Sequence, residues 1–259
     1  MSRKKGKVIT IFSTKGGAGK TIFTLNLAAT YSVLKKKTLI VDLDLYSGGI
    51  ALALNIDQQK DIYNVVDDLN NNRFTTFTDY ITSYNEYIDV LACPKDPRTG
   101  SKIEHKYVDI IMANAVNQYE VILFDTSHIL NDINLAALDK TDEIILLLSN
   151  DPIDLKNMKS VLAIFKENEI TNYTVILNES INTHKDIFTV FDIKNIIDNN
   201  INWVISRHFH LPQIDKWVLA GEIPLLSKKI QRQKKSDYKR FSKIALSLIN
   251  DKKGEIKDE

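Results

Sequence analysis

Residues 15–21 read Lys15-Gly16-Gly17-Ala18-Gly19-Lys20-Thr21, directly after the apolar run Val8-Ile9-Thr10-Ile11-Phe12. These residue types at this spacing form a phosphate-binding loop between a strand and a helix. Glycine reaches φ > 0 and leaves no Cβ between the backbone and a phosphate oxygen. The amides of Gly17 through Thr21 can then turn into one concavity, and the N-terminus of the following helix adds partial positive charge. Lys20 is placed to reach β- and γ-phosphates, and the Thr21 hydroxyl to ligate Mg²⁺. Gly16, Gly17, Ala18, Gly19, Lys20 and Thr21 are the expected nucleotide contacts.

Such a site needs a carboxylate at a strand end to fix the metal shell. Val121-Ile122-Leu123-Phe124-Asp125 supplies it, with Asp125 expected to hold Mg²⁺ through a water. A second acidic pair, Asp42-Leu43-Asp44, follows the apolar Leu39-Ile40-Val41. Alternation along a strand turns Asp42 and Asp44 to one side. Strand ends at this edge of a parallel sheet face the ligand crevice. Asp42 is expected to support Mg²⁺ or its waters, and Gly48 and Gly49 to let the loop after it move. His208 and His210 flank Phe209 without a Cys or acid cluster. That is a poor zinc pattern, so Mg²⁺ is the only metal expected.

The elements that must position these groups are legible. Strand candidates are Val8–Phe12, Thr38–Val41, Ile88–Ala92, Val121–Phe124, Ile144–Leu148, Tyr173–Leu177 and Trp203–Ile205. Near-continuous apolar runs indicate strands buried on both faces. Helical periodicity fills the gaps over Thr21–Leu34, Val108–Val116, Leu155–Phe165 and Phe241–Ile249. The alternation predicts an α/β fold: a doubly wound, mostly parallel sheet with helices on both faces. The polar stretch Asp57–Glu86 is expected to be helix and loop at the sheet edge, and residues 1–259 to form a single domain ending in a polar tail, 251–259.

Bulk properties exclude several classes. The 259 residues carry a net charge of +1, so no global field points to nucleic acid or membrane. A lone cysteine, Cys93, excludes a disulfide within the chain and fits a reduced, cytoplasmic setting. No apolar run approaches the ~18 residues of a membrane span. The basic start Met1–Lys7 precedes an apolar run too short for a secretory signal, which leads straight into the phosphate loop.

With Lys15 at its front, the loop resembles the deviant Walker A motif of the MinD/ParA superfamily, Lys-Gly-Gly-x-Gly-Lys-Thr. The resemblance implies ATP as the nucleotide and an ATP-dependent homodimer. Lys15 would cross the interface and act on the partner's phosphates, in the manner of an arginine finger. It further implies that Asp44 positions the attacking water and that Asn178, after Val175-Ile176-Leu177, contacts adenine. The following Glu179-Ser180-Ile181 lacks the Lys and Asp of a guanine-reading motif. Within the superfamily the chain resembles the CpaE/TadZ branch, which places and assembles Flp/tight-adherence pili. That likeness rests on residues 41–54, Val90-Leu91-Ala92-Cys93-Pro94-Lys95-Asp96-Pro97 and residues 131–143. Two departures stand out: Ile22 replaces a usual Thr, and Thr126-Ser127-His128 replaces the usual Pro-Pro after the Walker B aspartate.

The resemblance implies a slow, partner-stimulated ATPase that switches the position of a protein machine, for the CpaE/TadZ branch a pilus, in the cytoplasm, at the inner membrane face or at a cell pole. Alternatives are a ParA-like DNA partition ATPase, a MinD-like membrane ATPase and a scaffold that binds nucleotide without hydrolysis. The strip Lys228–Lys243 holds eight Lys/Arg against the single acid Asp237. It would serve nonspecific DNA, an anionic membrane or an acidic protein. The apolar spacing of Phe241, Ile244, Ala245, Leu248 and Ile249 predicts that Lys239, Arg240 and Lys243 face water.

Overall fold

A computed structural model describes residues 5–179, 187–210 and 214–250. The expected polar tail, 251–259, lies outside the described residues. Among the described residues the strands are β1 (Lys7–Phe12), β2 (Thr38–Leu43), β3 (Thr82–Ser83), β4 (Ile88–Leu91), β5 (Val121–Thr126), β6 (Glu143–Leu148), β7 (Tyr173–Asn178) and β8 (Trp203–Ile205). They form one sheet in the order β3-β4-β2-β5-β1-β6-β7-β8. Only β3 runs antiparallel. The chain moves outward from β1 to β2 and β4, returns through β5, then crosses to β6 on the other side. The crevice at the end of β1 is therefore the switch point where ligands bind in such sheets.

Among the described residues the α-helices are α1 (Lys20–Val33), α2 (Ile50–Ala53), α3 (Ile62–Asn70), α4 (Lys106–Ala115), α5 (Asp132–Lys140), α6 (Pro152–Glu167), α7 (Val190–Ile197), α8 (Ile214–Ala220), α9 (Lys228–Gln233) and α10 (Lys235–Ile249). They cover both faces, because alternate residues of each central strand leave the sheet on opposite sides. Ile9 and Ile11 pack with Phe23 and Leu27 of α1 and Phe241 of α10. Val8, Leu39 and Val41 pack with Val108 and Ile111 of α4 on the other face. Phe12 and Leu146 pack with Leu155 and Met158 of α6. Ile144 through Leu148 are fully buried. Each such side chain stabilises the fold by about 1.5–3 kcal/mol relative to exposure.

The doubly wound sheet agrees with the sequence expectation, and so do seven strands. The eighth, β3, escaped it: two residues in a polar stretch, paired to the edge strand β4 at Thr82↔Val90. Within the same stretch, α3 has its own start signal in Asp61, whose side chain accepts from Tyr63 and Asn64 while Asn64 reaches back. Among the described residues no helix is long and apolar enough to cross a membrane.

Candidate functional site

The loop between β1 and α1 is shaped by two left-handed glycines, Gly17 at φ 76° and Gly19 at φ 93°. A Cβ on Gly19 would stand 2.5 Å from Asn178 Nδ2. Gly16 does not adopt positive φ. Asn178 sits at the end of β7 and donates from Nδ2 to the Ala18 carbonyl at 2.8 Å. Lys20 Nζ folds back to the Ser13 hydroxyl at 2.8 Å, and that hydroxyl donates to the Lys15 carbonyl at 3.0 Å. Burial lowers the Lys20 pKa, against the pull of Asp125, Asp44 and Asp154. The loop thus arrives folded, with its amides and one amine collected at one sheet end.

On the metal side, Thr21 Oγ1 donates to Asp125 Oδ2 at 2.8 Å and Thr24 Oγ1 to Oδ1 at 2.9 Å. Asp42 stands in register beside Asp125 on the neighbouring strand, and both are buried. Burial raises both carboxyls well above the ordinary carboxylate range, and the neighbouring Asp125 raises Asp42 further. Two adjacent buried acids with a hydroxyl between carboxylate and phosphate loop fit a hard divalent cation. Among the described residues no group of three or more His, Cys, Asp and Glu could hold a metal. Sequence reasoning missed Thr24. Its signal was the i, i+3 spacing from Thr21 on α1, which puts both hydroxyls on one face.

β2 ends at Leu43, so Asp42 lies within the strand and Asp44 just beyond it, at the start of the turn over residues 45–47. Both stand near Asp125, Asp42 in register beside it and Asp44 close enough to raise its carboxyl. The Asp44 N–H donates back to Asp42 Oδ1 at 3.2 Å, and the Ile50 N–H donates to Oδ2 at 3.2 Å. Asp42 therefore fastens both ends of the loop that carries Asp44. A Cβ on Gly48 would lie 2.5 Å from both Asp42 Oδ2 and Cys93 Sγ, so glycine allows the loop to pack closely there. Cys93 is buried and its thiol is pushed up by burial and Asp42, as befits a residue that is no nucleophile.

Lys15 ends in a 2.7 Å ion pair with Asp151, the N-cap of α6. Nearby, buried Asp154 accepts from Thr14 Oγ1 at 2.6 Å and from the Ser149 N–H at 2.7 Å. The start of α6 thus grips two successive residues ahead of the glycines. Neither acid was singled out from the sequence, although Asp151-Pro152 is a recognisable helix start.

Ile22, the replaced Thr, lines an apolar slot beside Gly19 and Asn178 with Phe23, Ile205, Phe209, Pro224 and Phe241. The basic strip occupies α9 and α10, with Lys228, Lys229, Arg232, Lys235, Lys239 and Lys243 exposed. Arg240 corrects the expectation of a water-facing side chain. It is half-buried and donates to the Val204 carbonyl at 2.7 Å.

A glycine-rich loop at the switch point of a doubly wound parallel sheet, with a Thr–Asp pair beneath it, defines a P-loop NTPase. The profile of the AAA domain family AAA_31 matches residues 6–183. The chain belongs to that family and to the MinD/ParA superfamily of P-loop ATPases. Among curated proteins it is similar to the chromosome-partitioning ATPase Soj of Thermus thermophilus, with 23% identity over 81% of this chain and 79% of that protein. Among solved structures it is similar to a ParA family ATPase from Chlorobium tepidum, with TM-score 0.77 and 20% identity over 94% of this chain and 99% of the other. The septum site-determining protein MinD of Pyrococcus horikoshii, complexed with Mg-ADP, has TM-score 0.75 and 24% identity over 94% and 96%.

Proposed function

We propose that this chain is an ATP-binding, slowly hydrolysing switch that dimerises on ATP and positions a larger protein assembly. The observation that carries the reading is the Thr21–Asp125 hydrogen bond beneath the glycine-rich loop. It ties the phosphate loop to the carboxylate that a magnesium nucleotide requires. Lys20 and the amides from Gly17 to Thr21 would hold the phosphates, with Gly16 beside them. Thr21 and Asp125, with Asp42 behind them, would hold Mg²⁺, which would neutralise charge on the phosphates. Asp44 would orient the attacking water. Asn178 and the apolar slot beside it would take adenine, Asn178 exchanging its bond to Ala18 for the base.

Lys15 would leave Asp151 and complete the site of a second copy, so the ion pair with Asp151 is the resting state of that lysine. The CpaE/TadZ likeness supports a pilus machine as the assembly positioned, with the protein in the cytoplasm at the inner membrane face or a cell pole. One observation favours a second reading, DNA partition: six exposed cations line α9 and α10 of a chain with net charge +1. Calorimetry with Mg·ATP, followed by phosphate release, tests the main reading. Micromolar binding with slow turnover supports it. Tight binding with no phosphate release would support a nucleotide-bound scaffold instead.

A further inference from the structure

The β5–α5 loop lays an imidazole against the phosphate loop. The Nδ1 and Cε1 atoms of His128 stand 3.7 and 3.8 Å from the Cβ position of Gly16. Gly16 lies between Lys15 and the amides that form the phosphate concavity. His128 is exposed, yet its two neighbours are fixed from below by one buried side chain. Asn134, in the first turn of α5, donates from Nδ2 to the Ser127 hydroxyl at 2.8 Å and to the Ile129 carbonyl at 2.7 Å. Its own N–H is held by Asn131 Oδ1 at 2.9 Å. Asn134 Oδ1 has no protein donor among the described residues. The loop is thus braced on both sides of residue 128 while the ring is left to face outward at the phosphate loop.

We propose that the His128 imidazole donates a hydrogen bond to the terminal phosphate of a bound nucleoside triphosphate, and so distinguishes triphosphate from diphosphate. The proposal rests on the nucleotide reading above. An imidazolium–phosphate hydrogen bond is charge-assisted and stronger than a neutral one. An ordinary histidine titrates near pH 6.5, and an adjacent phosphate favours its charged form. The other titratable groups gathered here are Lys15 and Lys20 on the loop, Asp44 after β2, Asp125 on β5, and Asp151 and Asp154 at the start of α6. Lys15 is paired to Asp151, and the remaining carboxylates surround Lys20. No carboxylate bonds the His128 ring among the described residues. The anion this ring is placed to meet is therefore the ligand.

The test is calorimetry of Mg·ATP and Mg·ADP with wild type, His128→Gln and His128→Ala at pH 6 and pH 8. His128 is exposed, so both variants should fold. The wild-type preference for ATP over ADP, divided by that of His128→Gln, should be severalfold higher at pH 6 than at pH 8, because only a charged imidazole makes the charge-assisted bond. Taking the ratio removes the titration of the nucleotides themselves. His128→Gln keeps a donor and should retain part of the preference at pH 8, whereas His128→Ala should lose it at both pH values. Equal ATP-to-ADP ratios in wild type and His128→Ala at both pH values overturn the proposal while leaving the nucleotide reading intact. A wild type that binds neither nucleotide overturns that reading, and this inference with it.

Discussion

Replacing Asp125 by Asn should stabilise the ligand-free protein and abolish its magnesium response. Burial pushes the Asp125 carboxyl up to about 6 and, with Asp125 beside it, Asp42 up to about 8. In the unfolded chain both titrate near about 3.9. Above pH 4 the folded state therefore binds more protons than the unfolded state. Stability then falls as pH rises, from about pH 4 until Asp42 is fully ionised above pH 8. Each pKa unit is worth about 1.4 kcal/mol, so ionising Asp125 in place costs about 3 kcal/mol at pH 8. The amide keeps the shape, and the Thr21 and Thr24 hydroxyls can rotate to serve it. The cost of ionising Asp125 already includes the attraction of Lys20. The amide offers the two hydroxyls one acceptor oxygen where the carboxylate offers two, which returns part of the gain and leaves about 1–2 kcal/mol at pH 8 and little near pH 4. For a chain of this size that raises Tm by about 3–6 °C. Melting curves by circular dichroism at pH 5 and pH 8, with and without Mg·ATP, read it directly. The wild type should gain Tm on adding Mg·ATP by mass action, and the variant should gain little. A variant that melts lower than wild type at pH 8, or shifts equally at both pH values, refutes the assignment of strained acids at a metal site.

Lys20→Ala should weaken Mg·ATP binding about 100-fold or more, because a charge-assisted contact to two phosphates is lost; calorimetry showing unchanged affinity would remove Lys20 from the site. Asp151→Ala should free Lys15 and lower the protein concentration at which ATP produces dimers, whereas Lys15→Ala should raise it. Sedimentation velocity with ATP reads both, and identical behaviour of the two variants would show that the ion pair does not restrain the lysine. If the α9–α10 strip binds DNA, anisotropy with random duplex should show ATP-dependent binding that falls steeply with salt through counterion release and drops when Lys235 and Lys239 become Glu. No binding at low salt would leave the strip a solvated face or a protein-docking surface.

The fold was legible because buried parallel strands announce themselves as short apolar runs, as in Ile144–Leu148, and because the glycine loop fixes where β1 hands over to α1. What escaped was set by tertiary context. β3 has no apolar signature, and its two residues are strand only because β4 offers a free edge. Arg240 lies at a position that helical spacing marks as exposed, but the carbonyl of Val204 draws it in. Lys20, Thr21 and Asp125 could be named from spacing alone, and Lys15 through the family resemblance of the loop. The partners that set their geometry could not: Asp151 and Asp154 reach the loop from more than 130 residues away. Asp42 was found, but its hold on the Asp44 and Ile50 amides depends on where β2 ends, and strand ends are the least legible feature of a sequence.

The measurement that bears most directly on the switch is the solution mass of the Asp44→Ala variant with Mg·ATP, by light scattering at tens of micromolar protein. If ATP closes a dimer and Asp44 is needed to reopen it by hydrolysis, the variant should run at twice the 29.5 kDa of one chain with ATP and at the single-chain mass with ADP. A single-chain mass with both nucleotides, in a variant that calorimetry shows to bind ATP, contradicts the ATP-driven dimer.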